Sequence, residues 1–246
     1  MKKLIVIALS GMMSVLLFAG CTNSSASSTA SNQSTATVIP TEVTITDHQD
    51  RTITVPADPK KVAVLDIYPL ASMLTIYLDS SSSIVAMEPA SMSAAKNGVL
   101  SELYPEILNV NTNIMDGNDV NIESLIALNP DVVFYNAGNK AEQQKLENAG
   151  LTAVAVSATK WNYDCIKTYN EWMSLLNQIY PSHASNREDL VKQYATKKYD
   201  EIQSKVSSIS TKQKVLFLYQ YDAKTMITSS SSFFGQWWCD AVGAEN

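Results

Sequence analysis

Residues 121–156, NIESLIALNPDVVFYNAGNKAEQQKLENAGLTAVAV, decide the fold class, because they spell helix, strand, helix and strand in close succession. Residues 123–128 read as a short helix stopped by Asn129 and Pro130, since Asn tolerates a left-handed cap and Pro cannot continue a helix. Residues 131–135 follow as a strand. Its apolar run, Val132, Val133 and Phe134, suits a strand covered by helices on both faces, and Asn136-Ala137-Gly138 breaks it. Residues 140–149 form the crossover helix, Gly150 suits its C′ position, and residues 151–156 supply a second buried strand. The economical pairing is parallel, through a right-handed crossover. In open α/β sheets ligands sit beyond the carboxyl ends of the strands, which points here to residues 135–138 and 157–163.

Outward toward the amino terminus, residues 42–46 and 51–55 alternate apolar and polar around Asp47-His48-Gln49-Asp50, a β-hairpin signature. Residues 62–65 read as the buried first strand of the main sheet, with Asp66, Ile67, Tyr68 and Pro69 at its carboxyl end. Residues 70–78 read as the next helix, residues 84–87 as the next strand, and Glu88, Pro89 and Ala90 as the loop beyond it. In the other direction, residues 165–179 read as a helix closed by Tyr180-Pro181. Ser185-Asn186 followed by Glu188 and Asp189 starts a long helix. Its apolar stripe is Leu190, Tyr194, Tyr199, Ile202 and Val206. Residues 215–219 and 226–228 read as strands and residues 232–242 as a helix.

The chain opens as a signal peptide: Met1-Lys2-Lys3 is basic, residues 4–18 are largely apolar, and Phe18-Ala19-Gly20-Cys21 resembles the lipobox of bacterial lipoproteins. The run is too short for a membrane span. The resemblance departs at Phe18, where an aliphatic residue is usual, and it makes Cys21 the lipidated residue. Several acyl chains, at about 0.8 kcal/mol per buried methylene, would anchor the protein stably. An ordinary secreted chain with a stray Cys is the alternative. Residues 21–40 are almost wholly Ser, Thr, Asn and Ala and read as a tether. A net charge of −6, with Arg51 and Arg187 the only arginines, argues against nucleic acid or an anionic membrane as partner. Cys165 and Cys239 are expected as buried free thiols; a disulfide between them stays open.

Three pieces then add up. TEVTITDHQDRTITVPADPKKVAVL from Thr41, NIESLIALNPDVVF from Asn121 and MITSSSSFFGQWWCDAVGAEN from Met226 together resemble the substrate-binding proteins of ABC importers for ferric siderophores, haem and cobalamin. The resemblance covers residues 41–246, with Asp50 standing where such proteins usually carry Gly. It implies an α/β fold of two α/β lobes joined by one long helix: residues 41–181, an interlobe helix over 182–208, and a second lobe from 209. Two strands and one helix cannot cover their own sheet, so that second lobe is expected to be incomplete, short by about a hundred residues.

The expected ligand site consists of Tyr68, Glu88, Asp116, Tyr135, Asn136, Trp161 and Tyr163 from the first lobe, with Tyr219, Tyr221 and Ser230 from the second. Aromatic residues suit a large ring-rich ligand, because they bury much area at little rotamer cost. Core packing is the competing reading for each of them, above all for Trp237 and Trp238. Asp66, Glu88, Asp116, Asp164 and Asp222 place carboxylates near strand ends, which favours a neutral or cationic chelate, a corrinoid or cationic siderophore. Haem or a small oxyanion stays possible, and solvated loop residues are the bland reading of the acids. By resemblance, Glu123 matches the surface Glu that docks on the importer permease; an acid favourable to the helix dipole is the alternative. No catalytic triad, phosphate loop or paired Cys motif is present. His48 and His183 read as surface residues, so neither enzyme chemistry, a cofactor nor a zinc site is expected. The expected protein is a monomeric, extracytoplasmic, membrane-anchored binding protein. A lipid-anchored adhesion module is the rival from another class.

Overall fold

The computed structural model describes residues 40–184, 191–228 and 231–246. The segment Val38–Asn246 forms one compact unit. It begins with the expected hairpin, β1 (Glu42–Thr46) antiparallel to β2 (Thr52–Pro56). Asp50 turns the chain at φ 60°, a conformation Asp tolerates better than most residues. Asp47 locks the hairpin to the sheet: its buried carboxylate receives the Arg51 guanidinium at 2.6 Å and the Ala155 backbone N–H at 3.2 Å.

The main sheet is four-stranded and wholly parallel. β3 (Val62–Val64), β4 (Ile84–Met87), β7 (Val132–Asn136) and β8 (Ala153–Val156) lie in the order β4-β3-β7-β8. Between β3 and β4 runs α1 (Tyr68–Leu78). From β4 the chain passes through α2 (Pro89–Asn97), α3 (Leu100–Leu103), and a small hairpin of β5 (Met115–Asp116) and β6 (Asp119–Val120). Then α4 (Ile122–Ala127) leads to β7 on the other side of β3. The strand order reverses between β3 and β7, which makes their carboxyl ends the topological switch point. The β7–α5–β8 unit, with α5 at Lys140–Asn148, forms as residues 121–156 imply. Asn129 at φ 50° and Gly150 at φ 73° supply the left-handed residues just beyond α4 and α5.

Strand alternation divides the core in two. Val62, Val64, Val132, Phe134, Val154 and Val156 pack with α1 and with α6 (Cys165–Ile179) on one face. Ala63, Leu65, Val133, Tyr135 and Ala155 face Leu125 of α4 and Leu146 of α5 on the other. Every strand is covered twice, which is why its sequence is continuously apolar.

Several elements differ from expectation. Glu88 and Pro89 do not form a loop: Glu88 is the N-cap of α2, and Pro89 fits a first helical turn whose N–H is unbonded anyway. The expected start of the long helix at Ser185-Asn186 lies outside the described residues. Residues Val191–Thr196 are π-helical and lead into α7 (Lys197–Val206), which is α-helical. β9 spans Leu218–Tyr221 rather than starting at Val215, whose N–H instead donates to Glu245 O at 2.8 Å. β9 pairs with β10 (Met226–Thr228), and α8 (Phe234–Val242) closes the described chain. His48 is buried rather than on the surface, because its Nδ1 accepts the Ser157 N–H at 3.0 Å, tying the hairpin to the end of β8. Cys165 and Cys239 are both free, Cys239 buried and Cys165 half-buried.

Candidate functional site

The carboxyl end of β3 turns sharply at Asp66, whose φ of 48° is left-handed. Such a conformation costs on the order of 1–3 kcal/mol and persists only where neighbours over-determine it. Here the Asp66 N–H donates to Glu88 Oε1 at 2.6 Å, and Asn136 Nδ2 reaches Asp66 O at 3.4 Å. The ends of β3, β4 and β7 are thus tied together around Asp66.

Beyond β8, the loop to α6 is held just as firmly. Ser157 O accepts the Trp172 indole N–H at 2.7 Å, and Ser157 Oγ accepts the N–H groups of Thr159 and Lys160. Asn162 at φ 53° and Tyr163 at φ 62° then reverse the chain, and Asp164 caps α6 by accepting the Lys167 N–H. A bulky aromatic in the left-handed region is a genuine outlier, held here by the loop around it.

Between these two features lies a cavity of about 640 Å³ whose lining includes Asp66, Tyr68, Asn136, Tyr163, Trp172 and Phe234, with Tyr169, Phe233 and the Cys165 thiol among the rest. Tyr163 meets Phe234 edge-on at 5.2 Å and Phe233 at 6.2 Å, so the start of α8 supplies one wall. Thr168 also lines the cavity, and its buried Oγ1 has no hydrogen-bond partner among the described residues. No Lys, Arg or His lines it. The lining therefore presents aromatic surface, the Asn136 amide, the Cys165 thiol and the Asp66 carboxylate. That chemistry holds a ring-rich body and supplies no nucleophile with an adjacent base.

A second cavity, about 440 Å³, opens on the α5 side of the sheet and shares Asp66 and Tyr68 with the first. Glu88 and Glu142 line it with Met115, Gly117 and Asn118 of the β5–β6 turn. Burial raises the Glu88 carboxyl above its ordinary range, opposed by the bond from the Asp66 N–H. Burial, then the nearby Asp66 and Glu88, push Glu142 up to about 7.

Of the expected site residues, Tyr68, Asn136 and Tyr163 line the larger cavity and Glu88 the smaller. Asp116 is exposed beside Met115 and Gly117 without lining either cavity. Tyr135 is fully buried beneath the Arg51 guanidinium, 5.7 Å from its ring, because its place on β7 turns it to the α5 face. Trp161 packs perpendicular to the His48 ring at 4.9 Å, beside the hairpin rather than in the cavity. Tyr221 is 75% exposed on β9, away from both cavities. The Tyr219 side chain, Ser230 and Cys21 lie outside the described residues. Asp164 and Asp222 are turn-formers, Asp222 accepting the N–H groups of Lys224 and Thr225. Sequence reasoning missed Phe233, Phe234, Trp172, Thr168 and Glu142. Of these only the Phe pair, next to a helix start, carries a local signal.

Fold and site define an α/β binding protein whose pocket sits at the switch point of a parallel sheet. The chain belongs to the periplasmic binding protein family, whose sequence pattern matches residues 86–246. Over 117 residues, 46% of this chain and 31% of the relative, it is 36% identical to the molybdate-binding protein MolA of Haemophilus influenzae. Among solved structures it is similar to a periplasmic solute binding protein from Veillonella parvula, at 22% identity and a TM-score of 0.68, over 83% of this chain and 60% of that one. It is also similar to heme binding protein HmuT, at 17% identity and a TM-score of 0.61, over 82% of this chain and 62% of that one. Identities this low carry the fold alone. Among the described residues no helix is long and apolar enough to cross a membrane.

Proposed function

We propose that this chain is an extracytoplasmic substrate-binding protein, lipid-anchored through Cys21, that captures a ring-rich chelate and delivers it to an ABC importer permease. The observation that carries the reading is the larger cavity: aromatic walls and Asn136 converge beside the switch point, between two loops that each carry a left-handed residue, Asp66 after β3 and Tyr163 after β8. The absence of a basic residue from its lining favours a neutral or cationic cargo, a corrinoid or a cationic ferric siderophore, over haem. Haem propionates would meet the Asp66 carboxylate and no cation. Lipid anchoring rests on the resemblance of residues 18–21 to a lipobox, and permease docking on the exposed Glu123 in the first turn of α4. The long interlobe helix and two-lobed closure belong to the same reading.

A second reading has one observation in its favour: the 36% identical relative is named for molybdate. A small oxyanion would need donors converging in the cavity, whereas Asp66 and Glu88 would repel it. Native mass spectrometry of the chain against a corrinoid, a cationic ferric trihydroxamate, haem and molybdate decides between them. A one-to-one complex with either of the first two is expected, with affinity lowered about tenfold or more by Phe234→Ala. Exclusive retention of molybdate would overturn the chelate reading, and retention unaffected by Phe234→Ala would displace it from this cavity.

A further inference from the structure

We infer that the smaller cavity is an ammonium subsite, which takes a protonated amine arm of a ligand whose body lies in the larger cavity. The inference rests on the reading above for the body but on separate residues for the arm. Three carboxylates, Asp66, Glu88 and Glu142, line the cavity with no basic side chain among the lining residues. Acidic residues crowd many surfaces without a ligand; Glu142 is different. It is 7% exposed, and its Oε2 is buried without a hydrogen-bond partner among the described residues.

The cause of that orphan oxygen lies in the start of α5. Asn139 caps the helix by accepting the Glu142 N–H at 3.1 Å, and in a full capping box the glutamate would accept the Asn139 N–H in return. Asn139 N–H instead donates to Asn136 O at 2.8 Å, within the turn that ends β7. Glu142 thus stands in the wall of a polar cavity with one carboxyl oxygen, Oε2, buried and unmet. An unmet buried acceptor costs about 1–3 kcal/mol, more if charged, and a ligand donor would recover it.

The donor's nature follows from its surroundings. Among the described residues no three acidic, His or Cys side chains converge as they would around a metal ion. A bare divalent cation is therefore a poor occupant. An alkylammonium carries one positive charge and three N–H donors, enough to bond Glu142 Oε2 while facing Glu88 and Asp66. Burial, then Asp66 and Glu88, opposed by the nearby Lys145, push Glu142 up to about 7, and a further cation beside it favours the ionised form. Tyr68 and Asp66 line both cavities, so an arm passing over them joins the two volumes.

The test uses the full chain, labelled with nitrogen-15, and n-pentylammonium chloride as probe. Saturable shifts at the amides of residues 139–143 are expected in the millimolar range, absent with tetramethylammonium, which has no N–H, and absent in Glu142→Gln. Failure of pentylammonium to shift these amides, or equal shifts in Glu142→Gln, overturns the inference whatever the larger cavity binds. A ferric trihydroxamate with a free pentylammonium arm should also bind about tenfold more tightly than its N-acetyl form, the preference vanishing in Glu142→Gln. Pentylammonium shifts without binding of either chelate would keep the subsite and sink the chelate reading of the larger cavity instead.

Discussion

Glu142 and His48 give the chain two opposed pH responses. In the folded chain Glu142 titrates near 7 against an ordinary 4.5, raised first by burial, so between those values the folded state keeps a proton the unfolded state has lost. Its effect is a stability that falls as pH rises through that window, with the full penalty above about 7. His48 is shifted the other way, to about 4 from 6.5, again first by burial. The unfolded chain takes up that proton first, so stability falls as pH drops from 6.5 toward 4. The two effects oppose each other between about 4.5 and 6.5. Thermal melting of wild type and Glu142→Gln across this range separates them. The Gln variant should gain on wild type as pH rises to about 7 and still lose stability toward acid. Parallel curves would remove Glu142 from the account. At this scale strand ends and the loops beyond them brought Tyr68, Asn136 and Tyr163 to the lining of the larger cavity, as their positions in the sequence imply. It misled by one step of strand parity at Tyr135, which faces Arg51 on the opposite side of the sheet from the aromatic cavity. It also misled at Trp161, where a long-range contact to His48 decides the placement. No local pattern announces a contact across more than a hundred residues.

Among the elements, α4 holds a question of its own. Asn121 caps it by accepting the Ser124 N–H at 2.9 Å, and Glu123 stands exposed in the first turn. An acid there stabilises the helix by about 0.3–1 kcal/mol through the dipole, whether or not it does anything else. Docking predicts more. Glu123→Arg should abolish stimulation of the importer ATPase in reconstituted vesicles while leaving chelate binding unchanged. If stimulation survives and only a small loss of stability is seen, Glu123 is a helix stabiliser alone. The elements themselves were the most legible part of the chain. Cys165–Ile179 forms with its expected bounds, and the β7–α5–β8 unit pairs in parallel. Turn chemistry accounts for this: Asn129, Gly150 and the Asp164 cap punctuate the helices locally. The π-helical turn at Val191–Thr196 has no such signal, and neither does the parallel bridge of Lys214 to Glu245 that delays β9.

For the whole molecule, the parallel sheet explains why two cavities of different chemistry lie side by side. Reversal of strand order between β3 and β7 opens the crevice, and Asp66 and Tyr68 divide it. On the α6 side the lining is aromatic; on the α5 side it is acidic. Neither wall was fully legible beforehand, because Phe233 and Phe234 reach Tyr163 from the far end of the sequence. The account depends on cargo entering at this switch point, and a crystal structure of the chain with a cationic ferric trihydroxamate tests that most directly. It should show the chelate body between Tyr163, Phe234 and Asn136, with its ammonium arm extending over Tyr68 to Glu142. Chelate bound at another surface, with both cavities empty, would contradict it.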